Sequence, residues 1–217
     1  MLQRQGHSLW SLRALYCYQR SKRNMPKIGI AKIFESFQGE GIHAGEYTLF
    51  IRTSGCSVGC PQCDTDYRRT GWLDIDAVSR QMETFGGKYL WVTGGEPTDW
   101  PDINVLAELA HKHGLTPIMA TSGVRFVNGL WEKYCSPHKA KLPCLTWYDQ
   151  INLVPGLNGL SKESCVEYIQ EWHYKVAYVT PLYGDSQSLT VCKELVKEFA
   201  KKNVRLGHQS HKVWEVE

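Results

Sequence analysis

Three cysteines, Cys56, Cys60 and Cys63, fall at C-x3-C-x2-C spacing in the stretch SGCSVGCPQC. Thiolates this close together on a glycine-containing loop can serve one metal centre. Two centres suit them: a zinc ion completed by a distant ligand such as His43, or a 4Fe-4S cluster in which the cysteines hold three irons and leave the fourth open to another molecule. The remaining cysteines, Cys17, Cys135, Cys144, Cys165 and Cys192, are scattered and read as ordinary thiols. Eight cysteines in 217 residues are too sparse for a disulfide scaffold. Clustered thiols with no secretory h-region point to a reducing compartment.

A second candidate group is TGGEP, Thr93 to Pro97. Gly94 and Gly95 allow backbone to approach a ligand closely, and the Glu96 carboxylate can accept hydrogen bonds from an ammonium group. Taken alone the stretch also suits a simple turn.

These groups need elements to hold them. KIGIAKI and YTLFIRT read as strands on either side of the glycine-rich QGEGIHAG, and the second leads into the cysteine loop. Ile75, Val78, Met82 and Phe85 have helical spacing, and KYLWVT reads as a buried strand ending at Gly94. A helix follows Pro101, with LTPIMAT as the next strand. SKESCVEYIQEW reads as a helix capped by Ser161, YKVAYVT as a strand, SLTVCKELVKEFAKK as a helix and VRL as a last short strand. CLTWYDQINLVPGLNG fits neither pattern. Alternating strands and helices predict a mainly parallel sheet with right-handed crossovers. Loops 34–46, 55–72, 94–100, 122–125 and 180–186 mostly follow strand C-termini, the rim where such sheets assemble chemistry.

Composition narrows the function classes. Residues 1–25 carry Arg4, Arg13, Arg20, Lys22 and Arg23 and no acid, and the rest of the chain has a net charge of −2. Residues 1–25 read as a disordered or upstream extension before one domain over 26–217, with an organelle transit peptide as the alternative, and the near-neutral body gives no electrostatic case for binding nucleic acid. No apolar run is long enough to span a membrane.

The cysteine loop resembles that of the radical S-adenosylmethionine enzymes, in which the open iron of a 4Fe-4S cluster is chelated by the cofactor. TGGEP resembles the motif that these enzymes place at the methionyl amine. FESFQGEG, LFIRTSGC, CDT, TSG and RLGHQSHK together resemble the 7-carboxy-7-deazaguanine synthases, over about 27–125 and 174–217. The resemblance implies an α/β fold, an incomplete (β/α)6-type barrel. It also implies conversion of 6-carboxy-5,6,7,8-tetrahydropterin to 7-carboxy-7-deazaguanine with loss of ammonia, on the route to queuosine.

Carried over residue by residue, the resemblance makes Cys56, Cys60 and Cys63 the cluster ligands. It puts Gly94, Gly95, Glu96, Ser122 and Ser136 on S-adenosylmethionine, and Gln38, Glu40, Arg52, Thr93 and His211 on the pterin. A carboxylate such as Glu40 can grip the guanidine-like pterin edge by two hydrogen bonds. Thr65 becomes a magnesium contact, its hydroxyl oxygen suiting a hard cation. A reductase such as flavodoxin or ferredoxin, a homodimer and a cytoplasmic location are implied as well. The chain departs from the pattern twice. Gln62 stands where an aromatic residue usually packs near adenine, and in SPHK His138 intervenes before Lys139 where the family has Ser-Pro-Lys. The rival readings are an activating enzyme that installs a glycyl radical on a partner protein, and a zinc-stabilised binding module.

Overall fold

Helix-forming periodicity alternates with short β-branched runs along the chain, and three of the helices begin at a polar side-chain cap. Asp74 accepts from Ala77 N at 3.0 Å, Ser161 from Ser164 N at 3.2 Å, and Asp185 from Gln187 N and Ser188 N at 2.8 and 3.1 Å. Each carboxylate or hydroxyl satisfies a backbone donor that the first helical turn leaves unpaired. The structure, a computed structural model, describes residues 26–126, 131–138 and 147–216. The basic segment 1–25, Cys17, Lys139 and Cys144 lie outside the described residues.

Nine strands and five helices are described: β1 Gly29–Phe37, β2 Tyr47–Thr53, β3 Gly71–Trp72, α1 Ile75–Thr84, β4 Tyr89–Gly94, α2 Asn104–Lys112, β5 Thr116–Thr121, β6 Glu132–Cys135, β7 Trp147–Leu153, α3 Lys162–Glu171, β8 His173–Val179, α4 Ser186–Glu198, β9 Val204–Leu206 and α5 Ser210–Trp214. They form one sheet in the order β3-β1-β2-β4-β5-β6-β7-β8-β9. Every neighbouring pair from β2 to β9 is parallel, while β1 runs antiparallel to both β2 and β3. β3 and β9 are the two edges, so the barrel is incomplete.

One face of the sheet packs on helices. Leu49, Ile51, Leu90, Val92 and Met119 meet Val78 and Met82 of α1 and Leu106 and Ala110 of α2. Further along, Ile151, Leu153, Ala177 and Val179 meet Cys165 and Ile169 of α3 and Cys192 and Leu195 of α4. The alternate residues Phe50, Trp91, Ile118 and Tyr134 line the opposite, concave face. β7 is buried along six of its seven residues. A strand covered on both sides loses the apolar–polar alternation that marks strands in sequence, which explains why this stretch resisted reading.

The reversed β1 changes where its following loop goes. Phe37 pairs with Tyr47, and Thr48 pairs with Tyr89, the first residue of β4. Loop 38–46 therefore starts at the N-terminal end of the parallel strands, unlike the other expected functional loops. From there it crosses the concave face: Ile42 N donates to Gln150 Oε1 of β7 at 3.0 Å, and Gly39 O accepts from Ser210 N at 2.9 Å. The open flanks of the sheet are thus tied by this loop and the segment after β9.

Candidate active site

The cysteine loop leaves β2 at Thr53 and turns through Gly55 and Gly59, at φ +73° and +62°. Val58 is buried beneath it. Asp99 holds the first half, accepting from Ser57 N and Ser57 Oγ, both at 2.7 Å. Cys63 N donates to Cys60 O at 3.2 Å, closing the turn between the second and third cysteines. Cys56 and Cys60 are half-buried and Cys63 is exposed.

Gly94 and Gly95 serve this loop directly. A Cβ on Gly95 would lie 1.6 Å from Gly55 O, and one on Gly94, at φ +126°, would lie 2.2 Å from Thr53 O. Gly95 N donates to Thr53 O at 3.0 Å and Glu96 N to Gly55 O at 3.1 Å. The contact that demands glycine is therefore the base of the cysteine loop, which differs from the ligand approach expected from sequence. The two motifs are one packed unit.

Glu96 is buried to 1% exposure and fully engaged. Its Oε1 accepts from Thr98 N at 3.1 Å and from the hydroxyls of Thr98 and Thr121 at 2.6 Å each. Its Oε2 accepts from Ser122 N at 2.9 Å and Ser122 Oγ at 2.6 Å. Ser122, expected on the cofactor, here spends its hydroxyl on Glu96. Five donors around one buried carboxylate balance its desolvation.

Glu40 is held differently. Its Oε2 accepts from Tyr134 Oη at 2.9 Å and Asn152 Nδ2 at 3.0 Å, and its Oε1 from Gln209 Nε2 at 3.3 Å, with His211 Nδ1 at 4.0 Å. Asn152 is oriented in turn by Thr180 Oγ1, which donates to Oδ1 at 2.6 Å. Burial, then the neighbouring Glu40, push the Tyr134 hydroxyl well above its ordinary value, so it remains a neutral donor. Glu40 N donates to Gln38 Oε1 at 3.1 Å, which fixes that amide beside the carboxylate.

A cavity of about 570 Å³ joins these groups. Cys56, Cys60, Cys63, Thr65, Gly94, Gly95, Glu96, Ser122 and Ser136 line it, as do Gln38, Glu40, Thr93 and His211. Arg52 is the one expected site residue outside that lining; it pairs across strands with Thr93 and lies over the Phe34 ring at 5.3 Å. Sequence reading missed Tyr134, Asn152, Gln209 and Asn158, which also line the cavity. The first two are neutral side chains on β6 and β7, where no motif marked them. Gln209 sits inside the RLGHQSHK stretch, where it could have been found.

The donor set fits an iron-sulfur cluster and S-adenosylmethionine. Three thiols on one loop face a cavity that also holds a carboxylate, hydroxyls and a backbone cradle. A closed zinc site needs donors gathered on one ion, and among the described residues no group of three His, Cys, Asp or Glu is gathered so. Three thiols that each take a different iron need not be. His43, the suggested fourth zinc ligand, instead has Nε2 on Glu132 Oε1 at 2.7 Å and packs at a tilt against the Tyr89 ring, at the far end of the strands from the cysteines.

An open parallel sheet with this cysteine loop and this Gly-Gly-Glu-Pro turn defines the radical S-adenosylmethionine class, and the family model described as the radical SAM superfamily matches residues 50–136. The class works with a 4Fe-4S cluster and S-adenosylmethionine. A 7-carboxy-7-deazaguanine synthase of Haemophilus influenzae is 28% identical over 203 residues, covering 88% of this chain and 95% of the relative. One from Synechocystis is 30% identical over 162 residues, covering 71% and 75%. The crystal structure of QueE from Escherichia coli shares the fold at a TM-score of 0.68 and 23% identity, covering 85% of this chain and 95% of that one. The chain belongs to the 7-carboxy-7-deazaguanine synthase family.

Proposed function

We propose that this protein converts 6-carboxy-5,6,7,8-tetrahydropterin to 7-carboxy-7-deazaguanine with loss of ammonia. The observation that carries the reading is a single cavity lined at once by the three cysteines and Glu96 and by Gln38, Glu40 and His211. When bound, the cluster and S-adenosylmethionine supply a 5′-deoxyadenosyl radical that abstracts a hydrogen from the substrate. The protein's own part is placement. Glu40, kept in position by Tyr134, Asn152 and Gln209, accepts from the guanidine-like edge of the pterin, with Gln38 beside it. His211, which lines the cavity, and Arg52, which pairs with Thr93 outside that lining, supply donor groups for the substrate. Gly94, Gly95, Glu96, Ser122 and Ser136 form the S-adenosylmethionine side. Thr65, which lines the cavity, would offer a hydroxyl oxygen to a magnesium ion.

A cytoplasmic homodimer fed by flavodoxin or ferredoxin is part of this proposal. Among the described residues no helix is long and apolar enough to cross a membrane.

The test is anoxic incubation of the iron- and sulfide-reconstituted protein with dithionite, S-adenosylmethionine, Mg²⁺ and 6-carboxytetrahydropterin, with mass spectrometry for 7-carboxy-7-deazaguanine. Product is expected, and Cys60→Ala should lose cluster absorbance and product together. A wild-type protein that cleaves S-adenosylmethionine and makes no 7-carboxy-7-deazaguanine would overturn the substrate and move the search to another, such as a glycine of a partner protein.

A further inference from the structure

The two positions at which the chain departs from the motifs it resembles meet on one residue. Gln62 N donates to Asn158 Oδ1 at 3.0 Å, and Asn158 N donates to Gln62 Oε1 at 2.6 Å. This reciprocal pair links residues 96 apart and fastens the Cys60–Cys63 part of the loop to the turn that follows β7. Asn158 adopts φ +51°, in the left-handed region that Asn tolerates better than most residues.

The pair also fixes an imidazole. With Asn158 Oδ1 engaged by Gln62, its amide nitrogen faces His138 Nδ1 at 3.4 Å. An amide nitrogen only donates, so Nδ1 accepts and the neutral ring carries its proton on Nε2. Burial lowers the pKa of His138 and favours that neutral form, against the carboxylates of Glu96 and Asp64, which act to raise it. Gln62, Asn158 and His138 all line the cavity.

We propose that Gln62, Asn158 and His138 position the nucleoside half of S-adenosylmethionine, with His138 Nε2–H donating to a ribose or purine acceptor. The methionyl half carries an ammonium and a carboxylate, whose chemistry calls for carbonyl or carboxylate acceptors and an open metal position. Two amides and a neutral imidazole instead match uncharged hydroxyls and ring nitrogens. The inference rests on the cofactor reading above.

The test is anoxic calorimetry of the reconstituted protein with S-adenosylhomocysteine and, separately, with L-methionine, with iron content measured on every sample. His138→Phe keeps a ring, removes the donor and leaves the cysteine loop untouched. It should weaken S-adenosylhomocysteine binding by about three- to tenfold, the scale of one hydrogen bond, with methionine binding and iron content unchanged. His138→Gln, which keeps an N–H, should recover part of the loss. Asn158→Gly, which tolerates the positive φ, should match or exceed His138→Phe, and the double variant should be no worse than Asn158→Gly. Unchanged S-adenosylhomocysteine affinity in His138→Phe, or an equal loss for methionine, overturns the inference. A wild type that binds S-adenosylhomocysteine yet yields no 7-carboxy-7-deazaguanine would defeat the substrate reading and leave this one standing.

Discussion

Glu96 and Glu40 line the same cavity, and they are built in opposite ways. Glu96 takes five hydrogen bonds from Thr98, Thr121 and Ser122, no more than 26 residues away, and is buried. Glu40 takes three from Tyr134, Asn152 and Gln209, at separations of 94, 112 and 169 residues, and is partly open. A carboxylate saturated by short local bonds in a dry site is a fixture that braces β4, β5 and the cysteine loop. One held by long-range neutral donors can exchange them for a ligand's N–H groups at low cost. On the proposed assignment, rigidity belongs at the cluster end, where loop geometry must be kept, and adaptability at the end proposed to take the planar substrate.

Breaking the fixed end should cost most. Gly95→Ala puts a methyl group against Gly55 O, and because both atoms belong to backbone elements the cysteine loop must move. Near-complete loss of cluster incorporation is expected by iron analysis; normal iron content would show that the loop and the Gly-Gly turn are not one unit. Glu96→Gln sets an amide N–H against groups that already donate, and urea denaturation should show a loss of about 3 kcal/mol. An unchanged midpoint would erase the contrast between the two carboxylates.

At the adaptable end the effects should be smaller and confined to substrate. Glu40→Ala should keep the cluster and weaken pterin binding by about 1.5–3 kcal/mol, read as a raised KM or by direct titration. Equal stability losses at Glu40 and Glu96 would argue that both are structural. Tyr134→Phe removes one of three donors to Glu40 and should weaken binding by about 1 kcal/mol or less, with the melting temperature little changed. A large loss of stability there would make Tyr134 a packing residue first.

What was legible in the sequence follows the same division. The cysteines, Gly94, Gly95 and Glu96 sit in short contiguous motifs, because the chemistry of that end is supplied by residues close in the chain. The strands flanking them carried clear patterns, and β2, β4, β5 and β8 fall within a residue or two of their expected places. β6 and β7 were illegible for physical reasons: four residues are too few to show a period, and a strand buried on both faces has none. Tyr134 and Asn152 were hidden with them. The purpose of Gly94 and Gly95 was also out of reach, since only the fold shows that they pack against Thr53 and Gly55. The antiparallel sense of β1 could not be read from a pattern that is the same in either direction.

That reversed strand has a consequence for how the molecule comes together. Its loop meets residues 209–211 on the far flank, so one wall of the cavity joins an early part of the chain to a segment lying beyond the last strand. Contacts of such long sequence separation carry the largest loop-closure entropy and tend to form late. The sheet and its helices can therefore assemble around an unfinished chamber, whose wall at Glu40 and Gln209 is expected to close last.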